Sequence, residues 1–453
     1  MENEKKSGSG FWTGFLTACI IFLFIGCIVL SLKIFFDTSK PKAISDSDAK
    51  QVAENANNGS VLSDPKVVNK IGELEYIIDK EYIDSVSNDQ LSEGIYRGIM
   101  DALGDPYAQY YNAEEWIKMQ EETQGIYYGI GAYLLKDQEY LYPRITGVIK
   151  NTPAEEAGLK KDDIIIEVEG EDVYDQVLDD VVDRIRGEEG TTVHLTIMRG
   201  EAGNREELEF DVARRKVETP TVAYEMKAND IGYIQISQFD AVTVEQFNEA
   251  LEEVRKNGAK GLIIDLRDNP GGSLKAVVDI AGMILPKGKV VYTEDKYGRQ
   301  EVYESDGKHE LDIPLAVLVN GNSASASEIL SGAIKDYGKG TLIGTTTYGK
   351  GIVQQIFKLS GDEAVKLTVS HYYTPNGNDI HKVGVKPDIE VEFDRDAYLE
   401  NEYDNQLEKA MEVVSDELGI DYESVSVNEA KATEAPEEIE ATQTPEPTEV
   451  PEH

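Results

Sequence analysis

Cysteine is almost missing from this 453-residue chain: Cys19 and Cys27 are the only two, and both lie inside one apolar run near the N-terminus. The rest of the chain therefore has no thiolate nucleophile, no cysteine metal site and no internal disulfide. Histidine is scarce as well, with His194, His309, His371, His381 and His453 making five. None sits in an H-E-x-x-H pair, so the usual zinc-hydrolase signature is missing. No serine sits in a G-x-S-x-G elbow, and the histidines of the core read as surface or packing residues rather than members of a Ser-His-Asp triad. Basic charge is in deficit: 44 Lys and Arg stand against 86 Asp and Glu, a net charge of −42. That is the wrong sign for gripping a nucleic-acid backbone. No metal, cofactor or nucleic-acid partner is expected.

What the sequence does hold is an apolar content of 40%, ordinary for a globular protein, and enough length for two or three domains with their own cores. Its most informative stretch runs from Pro314 to Gln355. Leu315 to Val319 reads as a buried strand, Asn320-Gly321-Asn322 as a turn, and Ser323 to Ser327 as the opening of an amphipathic helix that carries Ile329, Leu330, Ala333 and Ile334. A helix N-terminus offers unpaired N–H groups and a positive dipole end, a favourable place for a reactive serine, so Ser323, Ser325 and Ser327 are all candidates. Taken alone, these residues fit a plain N-cap better, because Ser325-Ala326-Ser327-Glu328 has the spacing of a capping box. Lys350, between Gly349 and Gly351, lies in a loop that neighbouring backbone can approach closely. Withdrawn from water, such a lysine favours its neutral form and can act as a base.

Taken together, SASASE around Ser325, YGKG around Lys350 and GIVQQ ending just past Gln354 resemble the catalytic segment of the carboxyl-terminal processing peptidases, also called tail-specific proteases. The resemblance implies a serine-lysine dyad, with Ser325 as nucleophile, Lys350 as base and Gln354 as the amide that orients the lysine. Asp265 to Gly272 reads DLRDNPGG, which resembles the family motif supplying an oxyanion amide. By that resemblance Gly271 or Gly272 provides one donor and the Ala326 N–H the other. Were 350 to 354 a flat strand, Lys350 and Gln354 would sit about 13 Å apart along it, so the chain is expected to bend near Gly351. Tyr372 to His381 resembles the family's YYTPSGRSIQ but departs from it at Asn376, Asn378, Asp379 and His381. The resemblance covers residues 67 to 393.

Read in order, the chain is a multidomain α/β protein. Phe11 to Phe36 is apolar over a length that spans a bilayer as a helix, so 1–36 is expected to be a cytoplasmic stub and a single-span anchor. Lys5 and Lys6 on one side and Lys33, Lys40 and Lys42 on the other leave the orientation open. Placement of the catalytic part outside the cell membrane follows from the resemblance alone. Residues 37–66 read as a linker, and 67–124 as a helical region broken at Leu103-Gly104-Asp105-Pro106-Tyr107. That segment resembles the N-terminal region that mediates dimerisation in some members, which implies a homodimer.

Over 125–215 short strands alternate with turns, and Thr152 to Leu159 followed by Asp162 to Ile165 resembles the PDZ signature of bacterial proteases. In a PDZ domain a glycine loop takes the terminal carboxylate of a peptide that adds as a strand, a role expected for Tyr128, Gly129, Ile130 and Gly131. Residues 216–393 alternate strands and helices, an α/β protease core. A helical segment follows over 394–424, and the Glu-, Thr- and Pro-rich stretch 425–453 is too poor in apolar groups to order. The chain is thus expected to be a membrane-anchored serine endopeptidase that recognises free protein C-termini through its PDZ domain, which by the resemblance also gates the site. The competing expectation is a membrane-anchored PDZ adaptor without activity, against which the intact Ser325, Lys350 and Gln354 stand.

Overall fold

The computed structural model describes residues 42–43, 61–200 and 204–422, which fall into two compact units, one formed by residues up to 116 with 354–369 and the other by 117–353 with 370–422. Among the described residues no helix is long and apolar enough to cross a membrane. The expected anchor at 11–36, most of the 37–66 linker and the 425–453 tail lie outside them.

The smaller unit is built on the helices Pro65–Glu81 and Asn88–Asp101. Asp64 caps the first by accepting from the Lys66 N–H at 2.9 Å, and proline at its first position gives up an N–H that had no partner anyway. Ser87 and Gln90 cap the second reciprocally. The predicted break follows, with Gly104 at φ 64°. The strand Gln109–Tyr111 then pairs antiparallel with Ala364 to Lys366.

In the larger unit the PDZ-like region is a sheet in the order Ala132–Lys136, Pro143–Val148, Ile164–Val168, Thr192–Arg199, Glu206–Ala213, with the helix Leu178–Ile185 turning Val181 and Ile185 inward. Its core gathers Ile145, Ile165, Val168, Leu195 and Ile197, all fully buried. The last strand has no counterpart in the sequence reading. Glu206, Glu207, Glu209 and Asp211 break up its apolar pattern because it is an edge strand, where charge discourages further pairing. The module is entered through Ile126–Gly129 and left through Arg215–Glu218, which pair antiparallel as a two-stranded neck.

The core sheet runs Val222–Lys227, Ile231–Ile236, Gly261–Asp265, Leu315–Val319, Thr341–Gly344, Ile389–Glu390. Only the first pair is antiparallel. Gly261–Asp265 and Leu315–Val319 are buried at every residue, which is why they read as unbroken apolar runs. The helices Thr243–Lys256, Leu274–Ala281 and Ala326–Tyr337 cover one face. The other is closed by Asn405–Leu418, whose Ala410, Met411 and Val414 pack on Ile231, Ile263, Ala316, Leu318 and Ile343. The helix expected as a separate C-terminal segment is therefore a layer of the core. Gly261–Asp265 and Leu315–Val319 release their loops at the carboxyl edge of the parallel strands, where open α/β sheets place their sites.

Candidate active site

The turn after Leu315–Val319 is closed by its own side chains: the Asn320 N–H donates to Ser323 Oγ at 2.9 Å, and Ser323 Oγ donates to the Leu266 carbonyl at 2.8 Å. Ser327 Oγ donates to the Asn269 carbonyl at 2.9 Å. Both of these serines are fully buried, whereas Ser325 is partly exposed. Ser325 is also the one with unusual backbone, at φ 53° and ψ −110°. A non-glycine residue held there costs about 1–3 kcal/mol, so its surroundings must over-determine it.

Glu328 is the principal constraint. Its carboxylate is fully buried, and its Oε2 accepts from the Ser325 N–H and from the Lys350 N–H, each at 2.8 Å. Oε1 accepts from the Gly349 N–H at 2.7 Å and from Thr347 Oγ1 at 2.6 Å. The capping-box glutamate thus fastens the lysine loop as well as the helix start, and the backbones of Ser325 and Lys350 hang on one oxygen. Tyr372 braces the opposite side: its hydroxyl donates to the Ser325 carbonyl at 3.0 Å and its N–H to the Gly351 carbonyl at 3.1 Å. Burial raises the Tyr372 pKa well above that of a free phenol, so the hydroxyl stays a donor.

Glycine is required on both sides of the lysine. A Cβ on Gly349, at φ 88°, would fall 2.9 Å from the Val383 nitrogen, and one on Gly351 would fall 2.7 Å from the His381 nitrogen. Regular strand starts only at Ile352, so 350 to 354 is not one flat strand. Gln354 is the third residue of Ile352–Lys358, in the smaller unit, with Nε2 pointing to Thr368 Oγ1 at a long 3.5 Å.

Asn269 organises the DLRDNPGG loop. It is fully buried, donates from Nδ2 to the Ile236 carbonyl at 2.7 Å, and its carbonyl accepts from the Ala324 N–H at 3.0 Å as well as from Ser327. Its Oδ1 accepts from the Gly271 N–H at 2.8 Å, so that N–H is already committed. Gly271 meets the serine by its Cα instead: an added Cβ would lie 2.8 Å from Ser325 Cβ and 2.9 Å from the Ala326 nitrogen. Gly272 is exposed, at φ 141°, and is held in place by a Phe239 N–H bond to the Gly271 carbonyl at 2.9 Å and a Ser273 N–H bond to the Phe239 carbonyl at 2.6 Å.

The four PDZ candidates divide. Tyr128 and Gly129 belong to the neck strand and pair with Lys216 and Arg215. Ile130 and Gly131 form the loop into Ala132–Lys136, an edge strand, with the Ile130 carbonyl accepting from the Ala154 N–H at 2.8 Å. At Gly131, φ is 87° and a Cβ would fall 2.3 Å from Thr152 Cβ. As for the histidines, His371 and His381 meet edge to face at 5.3 Å, and His194 Nδ1 lies 2.8 Å from Asp211 Oδ1 on the PDZ-like sheet. Sequence reasoning missed Tyr372, Asn269 and the second half of what Glu328 does. Each lies inside a quoted motif, but their long-range partners carry no sequence signal.

The sequence profile of Peptidase family S41 matches residues 230–391, that of a PDZ domain 144–199, and that of the Activating protease CtpB N-terminal domain 28–115. The Carboxyl-terminal-processing protease of Synechocystis sp. is 36% identical over 331 residues, 72% of this chain and 77% of that protein. The Carboxy-terminal processing protease CtpA of Bacillus subtilis is 37% identical over 318 residues, 70% of this chain and 67% of that one. Among solved structures, the photosystem II D1 C-terminal processing protease is 30% identical, covering 71% of this chain and 86% of its own, with a TM-score of 0.42.

Proposed function

The chain belongs to peptidase family S41 and is a serine-type peptidase carrying a PDZ domain, and from that premise we propose that it processes protein C-termini with a Ser325–Lys350 dyad. The observation that best supports the dyad is the shared Glu328 oxygen, which fixes both backbones, together with the partial exposure of Ser325 on its strained turn. Ser325 Oγ attacks the scissile carbonyl carbon while neutral Lys350 Nζ takes its proton. The N–H groups of Gly272 and Ala326 stabilise the oxyanion, each donor of this kind contributing about 10²–10³ in kcat. Gly272 takes this role in preference to Gly271, whose N–H Asn269 occupies. Collapse of the tetrahedral intermediate expels the amine, protonated by the Lys350 ammonium, and leaves an ester on Ser325. Water, deprotonated by Lys350, then releases the new carboxylate and restores the serine.

Substrate enters by its C-terminus, with the carboxylate on the Ile130-Gly131 loop and the peptide added along the Ala132–Lys136 edge. The apolar run at 11–36 anchors the chain in the cell membrane, with the catalytic part outside, and the PDZ domain couples tail binding to alignment of Lys350. A homodimer through the N-terminal region belongs to the same reading. The test is digestion of a protein with a free apolar C-terminus by the full chain and by Ser325→Ala. Loss of cleavage with retained tail binding supports the proposal, whereas cleavage by Ser325→Ala refutes it.

A further inference from the structure

Arg267 opens the loop that ends at Gly272, five residues later, and its side chain is only 14% exposed. Nε donates to Asp265 Oδ1 at 3.0 Å and Nη2 to Asp265 Oδ2 at 2.6 Å. The far edge of the fork belongs to another part of the chain: Nη1 donates to Asp404 Oδ1 at 3.0 Å and to Gln406 Oε1 at 3.1 Å, and Nη2 lies 2.7 Å from Asp404 Oδ2. Tyr233 completes the cluster by donating its hydroxyl to Asp265 Oδ2 at 2.7 Å. Burial works against the cation, but Asp265 and Asp404 outweigh it and push the Arg267 pKa up.

Asp404 lies beyond the 230–391 stretch matched by the S41 profile, at the start of the helix that closes the second face of the sheet. As N-cap it accepts at Oδ1 from the Gln406 and Leu407 N–H groups at 3.1 and 3.0 Å. A cap needs one oxygen. Here the same carboxylate also makes a two-pronged contact with an arginine 137 positions earlier. Asp265 lies two residues before Arg267 and reaches beyond its own strand only to Tyr233, so it cannot tie the loop to anything outside the sheet. Asp404 can, because its helix is fastened to the sheet by Ala410, Met411 and Val414. After Arg267 the chain passes through Asp268, at φ 59° with its N–H on Asn320 Oδ1 at 3.0 Å, to Asn269 and the two glycines. A shift of the guanidinium is therefore passed to the segment that presents Gly272.

The geometry points to Asp404 as a positioning residue for peptide hydrolysis, acting through Arg267 on the oxyanion side of the site. The C-terminal helix is on this account part of the catalytic apparatus and not only a cover for the sheet. The inference rests on the assignment of Gly272 as an oxyanion donor.

The test uses the full chain with Asp404→Asn, which keeps a good N-cap but removes the charge facing Arg267, Asp404→Ser, a second neutral cap, and Asp404→Glu, which restores the charge. Steady-state cleavage of a peptide with a free apolar C-terminus is measured alongside the thermal midpoint, with Ser325→Ala as the inactive reference. In both neutral variants kcat is expected to fall about 10- to 100-fold with KM within about twofold, as for misplacement of a catalytic group. The midpoint is expected to hold within a few degrees, and Asp404→Glu to recover part of the lost kcat. Unchanged kcat in Asp404→Asn, or a loss that tracks the fraction unfolded and is the same in Asp404→Glu, overturns the inference while leaving the dyad intact. Cleavage by Ser325→Ala overturns the dyad reading and, with it, this one.

Discussion

Glu328→Gln is the most informative single change, because its size can be worked from the hydrogen bonds. The native carboxylate takes three backbone N–H groups, from Ser325, Gly349 and Lys350, and one hydroxyl, from Thr347. The amide can place its oxygen at only one of the two positions. If the oxygen serves Ser325 and Lys350, the NH2 faces Thr347, whose hydroxyl already accepts from the Val385 N–H and can turn to accept a second bond, and Gly349, whose N–H is stranded. One buried unpaired donor costs about 1–3 kcal/mol. In the reverse orientation two N–H groups are stranded, at about twice that cost, so the first orientation wins. Glu328→Gln should therefore fold, about 1–3 kcal/mol less stable, with the lysine loop displaced at Gly349. Displacement next to a catalytic group costs about a hundredfold in rate, and the loss is expected in kcat, since Glu328 is buried away from substrate. Glu328→Ala strands three backbone donors at once, about 3–9 kcal/mol, which approaches the whole stability of a typical domain. Urea unfolding and steady-state peptide cleavage measure both quantities. A Glu328→Gln enzyme with native kcat, or a Glu328→Ala chain as stable as the parent, would show that this carboxylate does not hold the site together.

Asp240 is buried and, mainly through burial, its pKa is raised to about 6. A carboxyl raised in the folded state binds more protons folded than unfolded, so it costs stability as pH rises from about 4 through 6, by about 2–3 kcal/mol above that range. Asp240→Asn should consequently raise the urea midpoint at pH 8 and leave it nearly unchanged at pH 4, and a gain independent of pH contradicts this. Gly131→Ala places a Cβ 2.3 Å from Thr152 at a φ of 87°, so binding of a labelled C-terminal peptide should weaken at least tenfold by fluorescence anisotropy while the core keeps its thermal transition. Unaltered peptide affinity would move the carboxylate site elsewhere.

The alternation of the core was legible because each element advertised itself locally: Ile231–Ile236 and Leu315–Val319 are apolar runs between turn residues, and Asn405–Leu418 carries its cap at Asp404. That the last of these closes the sheet was not legible, since an amphipathic helix shows that it packs but not on what. The three serines at 323, 325 and 327 could not be separated by pattern. Burial and backbone conformation separate them, and both are consequences of tertiary contacts with Leu266 and Asn269. The glycines at 271 and 272 were indistinguishable for the same reason, until the Asn269 side chain was seen to claim one N–H. The neck made by Ile126–Gly129 and Arg215–Glu218 joins segments about ninety residues apart and has no local signal.

The central claim is that Ser325 is activated by Lys350, and the most direct measurement is the pH dependence of Ser325 labelling by a fluorophosphonate, with the modified residue mapped by mass spectrometry. The account predicts labelling confined to Ser325, at a rate that rises with pH through one ionisation, and a slow rate without that ionisation in Lys350→Ala. Labelling at another serine, or a Lys350→Ala chain with the same rate and the same pH profile as the parent, would contradict it.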